Sequence, residues 1–178
     1  RMRGGCQWGQ LPERFGPKST AHDWSQRWVQ GGVFAKIRAV PIAGCAGLGG
    51  VRWKWQNAGA CPGKARFGGK KAGKNPTDRG KSGVKRSLLT EAAGIPIAIA
   101  IDGANRHDMK LVGTTLANIM AKRPVPTTES PQGICLDKGY DFDEVRALVQ
   151  AFGFTAHIRA RGEEALAIKQ EAGFKARR

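Results

Sequence analysis

The fold is decided between residues 84 and 101, where VKRSLLT at 84–90, EAAG at 91–94 and IPIAIAI at 95–101 follow one another. The outer strings are strand-length, carry β-branched and other apolar residues, and are separated by four residues ending in Gly94. That pattern predicts two antiparallel strands joined by a short hairpin connection. The second string is also the longest clean apolar run of the chain. A bilayer needs roughly 18–20 such residues, so the reading excludes a membrane-spanning helix.

Outward from the hairpin the chain alternates helices and strands. Asp108 can cap a helix carrying Leu111, Val112, Leu116, Ile119 and Met120 on one face, with Pro124 and Pro126 to stop it. Pro131 leads into GICL at 133–136, a short strand ending at Asp137. Asp141 and Glu144 form a capping-box-like pair before Val145, Leu148, Val149 and Phe152, which fall at helical spacing, and Gly153 closes that helix. Residues 154–158 return as a strand. Toward the amino terminus, residues 51–56 predict a further strand and 41–50 (PIAGCAGLGG) a linker. Residues 1–40 read as small and helical: Ser19 or Thr20 caps a helix with Trp24 and Trp28 four apart, TAHD at 20–23 has the form of a capping box, Gly31-Gly32 ends it, and 33–40 form a second short helix. Two helices separated by glycines suit either a helix-turn-helix remnant or plain packing. The order strand, strand, strand, helix, strand, helix, strand predicts an α/β fold, a mixed sheet with flanking helices.

Charge supplies the first functional signal. The 178 residues hold 30 Lys and Arg against 14 Asp and Glu, a net +16 at neutral pH, with an isoelectric point near 10.4. A polyanion is the natural partner, because each phosphate neutralised releases condensed counterions. The charge is concentrated: Lys64, Arg66, Lys70, Lys71, Lys74, Arg79, Lys81, Lys85 and Arg86 lie within 23 positions, opposed only by Asp78. The glycines and the proline of this stretch predict a mobile surface loop up to about Ser82 that moulds itself to a phosphate backbone. A solvated charge run without a partner is disfavoured, since nine neighbouring cations repel one another.

Other residue types carry less. Cys6, Cys45, Cys61 and Cys135 form no C-x-x-C pair, which argues against a zinc ribbon or a disulfide framework and for ordinary buried or half-buried thiols. His22, His107 and His157 are scattered. Arg1 stands where an initiator Met would, and no basic, apolar, small-residue progression follows, so no secretory signal is read and the chain is expected to be a fragment. Asp137 is the best placed acid: L-D-K-G-Y-D sets a carboxylate at a strand end with a glycine turn behind it, a position able to hold Mg2+ or to serve only as a turn former. In IDGANRHD at 101–108, Asp102 reads as a turn former with Gly103 and Asp108 as a cap, leaving Arg106 and His107 as phosphate contacts.

Five strings in order, CQWGQLPERFG at 6–16, GKNPTDRGKSG at 73–83, SLLT at 87–90, DGANRHD at 102–108 and DKGY at 137–140, resemble the DDE transposases of bacterial insertion sequences, specifically the fifth insertion-sequence family. The resemblance covers nearly the whole chain and implies truncation at both ends. It implies a ribonuclease-H-like catalytic domain over 51–178, incomplete at its C-terminus, behind a partial helical DNA-binding region over 1–40. It further implies Mg2+-dependent strand cleavage and transfer at terminal inverted repeats, DNA ends and target DNA as partners, room for a homodimer, and a bacterial, cytoplasmic, nucleoid-associated protein.

In that family three carboxylates hold two metal ions that activate the attacking oxygen and stabilise the leaving one. Residue by residue, the Asp of the family's D-x-G-Y string matches Asp137, as catalytic residue and metal ligand. The first acid belongs in a D-G-x-x-x-K-A context just before the basic loop, where this chain has WQNAGACPGKA at 55–65. Counting back from Lys64 puts Gly59 at the acid's position, and a two-residue insertion puts Asn57 there. The third acid belongs on a helix after the segment GFKARR at 173–178, where the sequence stops; Glu163, Glu164 and Glu171 precede that point and do not match. Two Mg2+ ions about 4 Å apart repel strongly, and one carboxylate neither offsets that repulsion nor fixes both coordination spheres. The expectation is therefore a transposase relic that binds DNA through its cations without strand transfer. A non-catalytic basic nucleic-acid-binding protein is the alternative. A basic ribosome-associated protein would explain charge and glycine but not the hairpin, the strand-end aspartate or the ordered strings.

Overall fold

The computed structural model describes residues 7–37, 50–66 and 68–160. Cys6, Cys45, the expected linker up to residue 49, the end of the second expected helix, and Glu163, Glu164 and Glu171 lie outside the described residues. The chain divides into two compact units, Arg1–Gly50 and Val51–Arg178.

In the first unit two single 3-10 turns precede helix α1, Lys18–Gln30. The helix begins right after Pro17, earlier than Ser19 or Thr20 would cap it, and no side chain caps it, so the TAHD string is not used as a capping box. Proline suits this boundary because its φ is already helical and it has no N–H to satisfy. Gly31 and Gly32 end α1 as expected, Gly32 at φ +66, and residues 33–37 are helical again. Trp24 and Trp28 stack at 6.4 Å and stay 50% and 46% exposed.

The second unit is built on six strands: β1 (Trp55–Lys64), β2 (Gly73–Lys74), β3 (Ser82–Glu91), β4 (Pro96–Gly103), β5 (Gly133–Leu136) and β6 (Thr155–Ile158). Helix α2 (Met109–Ala117) links β4 to β5, and α3 (Asp143–Ala151) links β5 to β6. The sheet runs β4-β3-β1-β5-β6, with β2 beside the start of β3. Strand β3 runs antiparallel to both of its neighbours, β1 and β4, while β5 and β6 run parallel to β1. The expected α/β mixed sheet with helices is present.

The hairpin lies where the sequence puts it. Glu91 Oε1 accepts from the Ala93 N–H at 2.6 Å and from the Ile95 N–H at 3.4 Å, and Gly94 takes φ +87, so the connection closes on its own side chain. Alternation then sends Ser87 and Leu89 of β3, with Ala98 and Ala100 of β4, to one face, where all four are buried. On that face α2 contributes Val112 and Leu116, and α3 contributes Val145 and Val149, to a core completed by Ile134, Leu136, Tyr140, Phe154 and Ile158. The Thr115 hydroxyl, fully inside, hydrogen-bonds Ser87 Oγ at 2.7 Å and the Leu111 carbonyl at 2.8 Å, so neither polar group is stranded. The opposite face carries Asn57, Gly59, Cys61, Arg86, Leu88 and Ile99 around an open groove of about 650 Å3, with Trp55 and Ile101 40% and 43% exposed.

Several expectations are corrected. The first strand is not 51–56 but Trp55–Lys64, carried through NAGACPGK by pairing with β3 over Gln56–Lys64, since strand formation is won by cross-strand partners more than by propensity. Asp108 occupies the cap position of α2 without bonding the helix, because its carboxylate turns to Lys85 at 2.6 Å. The same helix ends at Ala117, before either proline. Asp141 does not cap α3 either; it pairs with Arg146 at 2.7 Å. Cys61 is an exposed thiol and Cys135 a half-buried one, neither bonded to another.

Candidate functional site

Asp137 leaves β5 at its carboxyl end and is exposed. Its Oδ1 accepts from the Gly139 N–H at 2.6 Å and caps the 3-10 turn Lys138–Tyr140. A Cβ at position 139 would lie 2.7 Å from Asp137 Oδ1, so a larger residue there would displace the carboxylate from this bond. Behind the turn Tyr140 is 1% exposed, and its hydroxyl has no hydrogen-bond partner among the described residues. Burial, and then the charges of Asp108 and Asp137, push its pKa well above the usual tyrosine value.

Parallel pairing sets Asn57 opposite Cys135. Continuing that register by two residues sets Gly59 beside Asp137, on the sheet face that both alternations share. Of the two positions open in the sequence for a first acid, Gly59 is thus the one level with Asp137, and Asn57 lies two residues before it. A Cβ built on Gly59 meets nothing within 4 Å, so the place is open to a larger side chain. No group of three His, Cys, Asp or Glu side chains able to hold a metal occurs among the described residues. Beside Asp137, β1 presents the Asn57 amide and Gly59, which supply no carboxylate and do not fit a two-cation centre.

The other two acids near this end of the sheet are committed to cations of the chain. Asp102 Oδ1 accepts from the Gly103 N–H at 2.8 Å, and its Oδ2 accepts from Arg106 Nε at 3.1 Å. These two bonds, the backbone one first, hold its pKa below the ordinary aspartate value. Arg106 is therefore an ion-pair partner, and His107 lies edge-on to Phe142 at 5.7 Å. His22 and His157 pack on Trp8 and Trp55, so the three histidines serve three separate places.

The basic stretch is turn and loop over most of the span expected up to Ser82, interrupted by the two-residue β2. Lys64 ends β1, Lys74 lies in β2, Lys85 and Arg86 lie in β3, and Asn75 organises the turn between β2 and β3. Gly83 permits that close meeting: a Cβ there would approach the Gly63 carbonyl at 2.9 Å and the Ala104 Cβ at 3.0 Å. Lys64, Arg66, Lys70, Lys71, Lys74, Arg79 and Lys81 are exposed, as is Arg86. Lys64 lies 3.8 Å from Asp78, and these two with Arg66, Lys81 and Ser82 line a recess of about 440 Å3. Lys85 differs from the others: its ammonium sits on Asp108 and donates to the Arg106 carbonyl at 2.7 Å, with 13% of its side chain exposed.

Sequence reasoning missed Arg123. Its guanidinium stacks 3.5 Å over the Phe154 ring and donates to the Gln132 side chain and to the Phe152 and Gly153 carbonyls. It fastens the long connection before β5 to the end of α3, and so helps place the strand that delivers Asp137. Only the tertiary fold brings these groups together; an isolated Arg beside two prolines carries no signal in sequence.

Comparison with known proteins identifies the family. Residues 1–38 match a family described as a transposase of the IS4/5 family, and residues 51–178 match the transposase DDE domain. A curated transposase for insertion sequence element IS402 of Burkholderia cepacia is 32% identical over 101 residues, covering 56% of this chain and 48% of that protein. The chain thus spans about half the length of that relative. The piggyBac transposase synaptic complex with hairpin DNA, solved by cryo-electron microscopy, aligns with 68% of this chain and 27% of its own at 12% identity and a TM-score of 0.37. With the DDE-domain match running over well more than half of its residues, the chain belongs to the DDE transposase family of insertion sequences.

Proposed function

We propose that the chain is a DNA-binding member of this family that holds duplex DNA through the basic stretch 64–86 and does not cut it. The unit over 51–178 is read as a ribonuclease-H-like domain; three antiparallel strands followed by two strands parallel to β1, connected through helices on one face, support that reading. The amino-terminal helix, with exposed Trp24 and Trp28, is read as part of a DNA-binding region. DNA ends and target DNA are the proposed partners, in the bacterial cytoplasm.

One observation carries the proposal. Beyond the level of Asp137, β1 runs five residues further from Gly59 to Lys64, about 17 Å at strand rise, into the stretch 64–86, whose exposed Lys64, Arg66, Lys70, Lys71, Lys74, Arg79, Lys81 and Arg86 are accompanied within that stretch by one acid, Asp78, with Asp102 near Lys71. Lys85, already neutralised by Asp108, is assigned to the fold. Mg2+ is the family's expected cofactor, yet Asp137 lacks a neighbouring acid on β1, so DNA is bound and left intact. Fluorescence anisotropy with a labelled duplex tests the binding. If half of the eight cations meet phosphates, log K should fall with log salt at a slope of about −3.6. A slope near zero, or no binding at low salt, would reject the reading.

A further inference from the structure

The turn joining β2 to β3 is built more exactingly than the display of charge requires. Asn75 is 6% exposed; its Oδ1 accepts from the Thr77 N–H at 3.1 Å and from the Thr77 hydroxyl at 2.8 Å. The Asn75 N–H donates to the Lys81 carbonyl at 2.8 Å, and the Lys81 N–H reaches the Asp78 carbonyl at 3.0 Å. Between those last two residues Arg79 takes φ +51 and Gly80 φ +72. Positive φ at both centres is the type I′ pattern, whose first centre favours Asn, Asp or Gly. Arg79 is the one non-glycine residue with positive φ among the described residues. Its side chain is exposed and, among the described residues, makes no hydrogen bond or ion pair.

A phosphate contact explains none of this, because a cation on a relaxed loop reaches a phosphate equally well and phosphate contacts carry no sequence information. What the locked turn adds is a fixed origin and direction for a planar head with five donors. Reading the O6 and N7 edge of guanine, or entering a narrow minor groove, needs that fixed placement. Lys74 precedes the turn, and Lys64, Arg66 and Lys81 line the recess beside it, so cations stand on both sides of Arg79 for the flanking phosphates. Resting on the DNA-binding reading above, we propose that Arg79 is the base-reading residue of the β2–β3 turn, entering a groove of duplex DNA while the neighbouring cations hold the backbone.

Binding sites should be selected from a randomised duplex pool with the full chain, its Arg79→Gly variant and its Arg79→Lys variant. Arg79→Gly relieves the positive φ and should raise the thermal midpoint, so lost selectivity cannot be blamed on unfolding. The wild-type chain should enrich a motif in which one or two adjacent positions lose roughly 5- to 150-fold preference in both variants, while affinity for unselected duplex changes little in Arg79→Lys. Identical motifs from wild type and variants, or binding by the wild type with no motif enriched, would overturn the assignment while leaving DNA binding intact. A wild-type chain that captures no duplex at low salt would instead remove the DNA-binding reading, and the assignment with it.

Discussion

Tyr140 is the chain's one tyrosine, so its ionisation can be followed by absorbance without ambiguity. The folded protein holds the phenolic proton more tightly than the unfolded chain, whose tyrosine ionises near pH 10. The stability contributed by this group is therefore complete below pH 10 and declines as pH rises beyond it. Phenolate absorbance should stay absent as pH rises past the ordinary tyrosine value and then appear together with loss of the far-ultraviolet signal; a simple titration near pH 10 in the native state would contradict the burial of this hydroxyl. Gly59 gives the second test at this scale. Gly59→Asp puts a carboxylate level with Asp137 in open space, where two carboxylates can hold one divalent cation. Mn2+ at ten times its Kd should then stabilise the variant by about 1.4 kcal/mol, the wild type should not respond, and adding Asp137→Ala should abolish the effect. Single residues were legible where local pattern decides them: Asp137 follows from an apolar strand ended by an acid and a glycine. Asp108 and Asp141 were not, because their partners Lys85 and Arg146 are set by the fold and outcompete the helix ends.

At the scale of elements, sequence reading succeeded where hydrophobic spacing is strong. The hairpin, β5, the buried faces of α2 and α3, and Gly153 as the stop of α3 all follow from it. It failed on β2 and on most of β1, where Ala, Gly, Pro and Lys predominate and the strands exist because β3 offers a partner along most of their length. Pro62 is tolerated because β5 pairs only with Trp55, Gln56 and Asn57, leaving the later part of β1 with a free edge. The connection into β5 depends on Arg123. Arg123→Ala removes several hydrogen bonds and a ring contact at a part-buried site, and should cost about 2–3 kcal/mol in denaturant unfolding. Lys at this position should recover little, since an ammonium does not reproduce the planar fork. A change below about 0.5 kcal/mol would show that the connection holds without it.

For the whole molecule, composition spoke earliest: an excess of sixteen positive charges points to a polyanion, and the fold gathers much of that excess between β1 and β3, beside a sheet on which Asp137 meets Gly59 and not an acid on β1. Both halves of the account meet in one gel. Supercoiled plasmid incubated with stoichiometric protein in Mg2+ or Mn2+ should be retarded at low salt and, after the protein is stripped off, recovered entirely as supercoiled circles. Nicked or linear product that requires the metal and disappears in Asp137→Ala would contradict the account, because it would mean that the missing carboxylates are supplied after all.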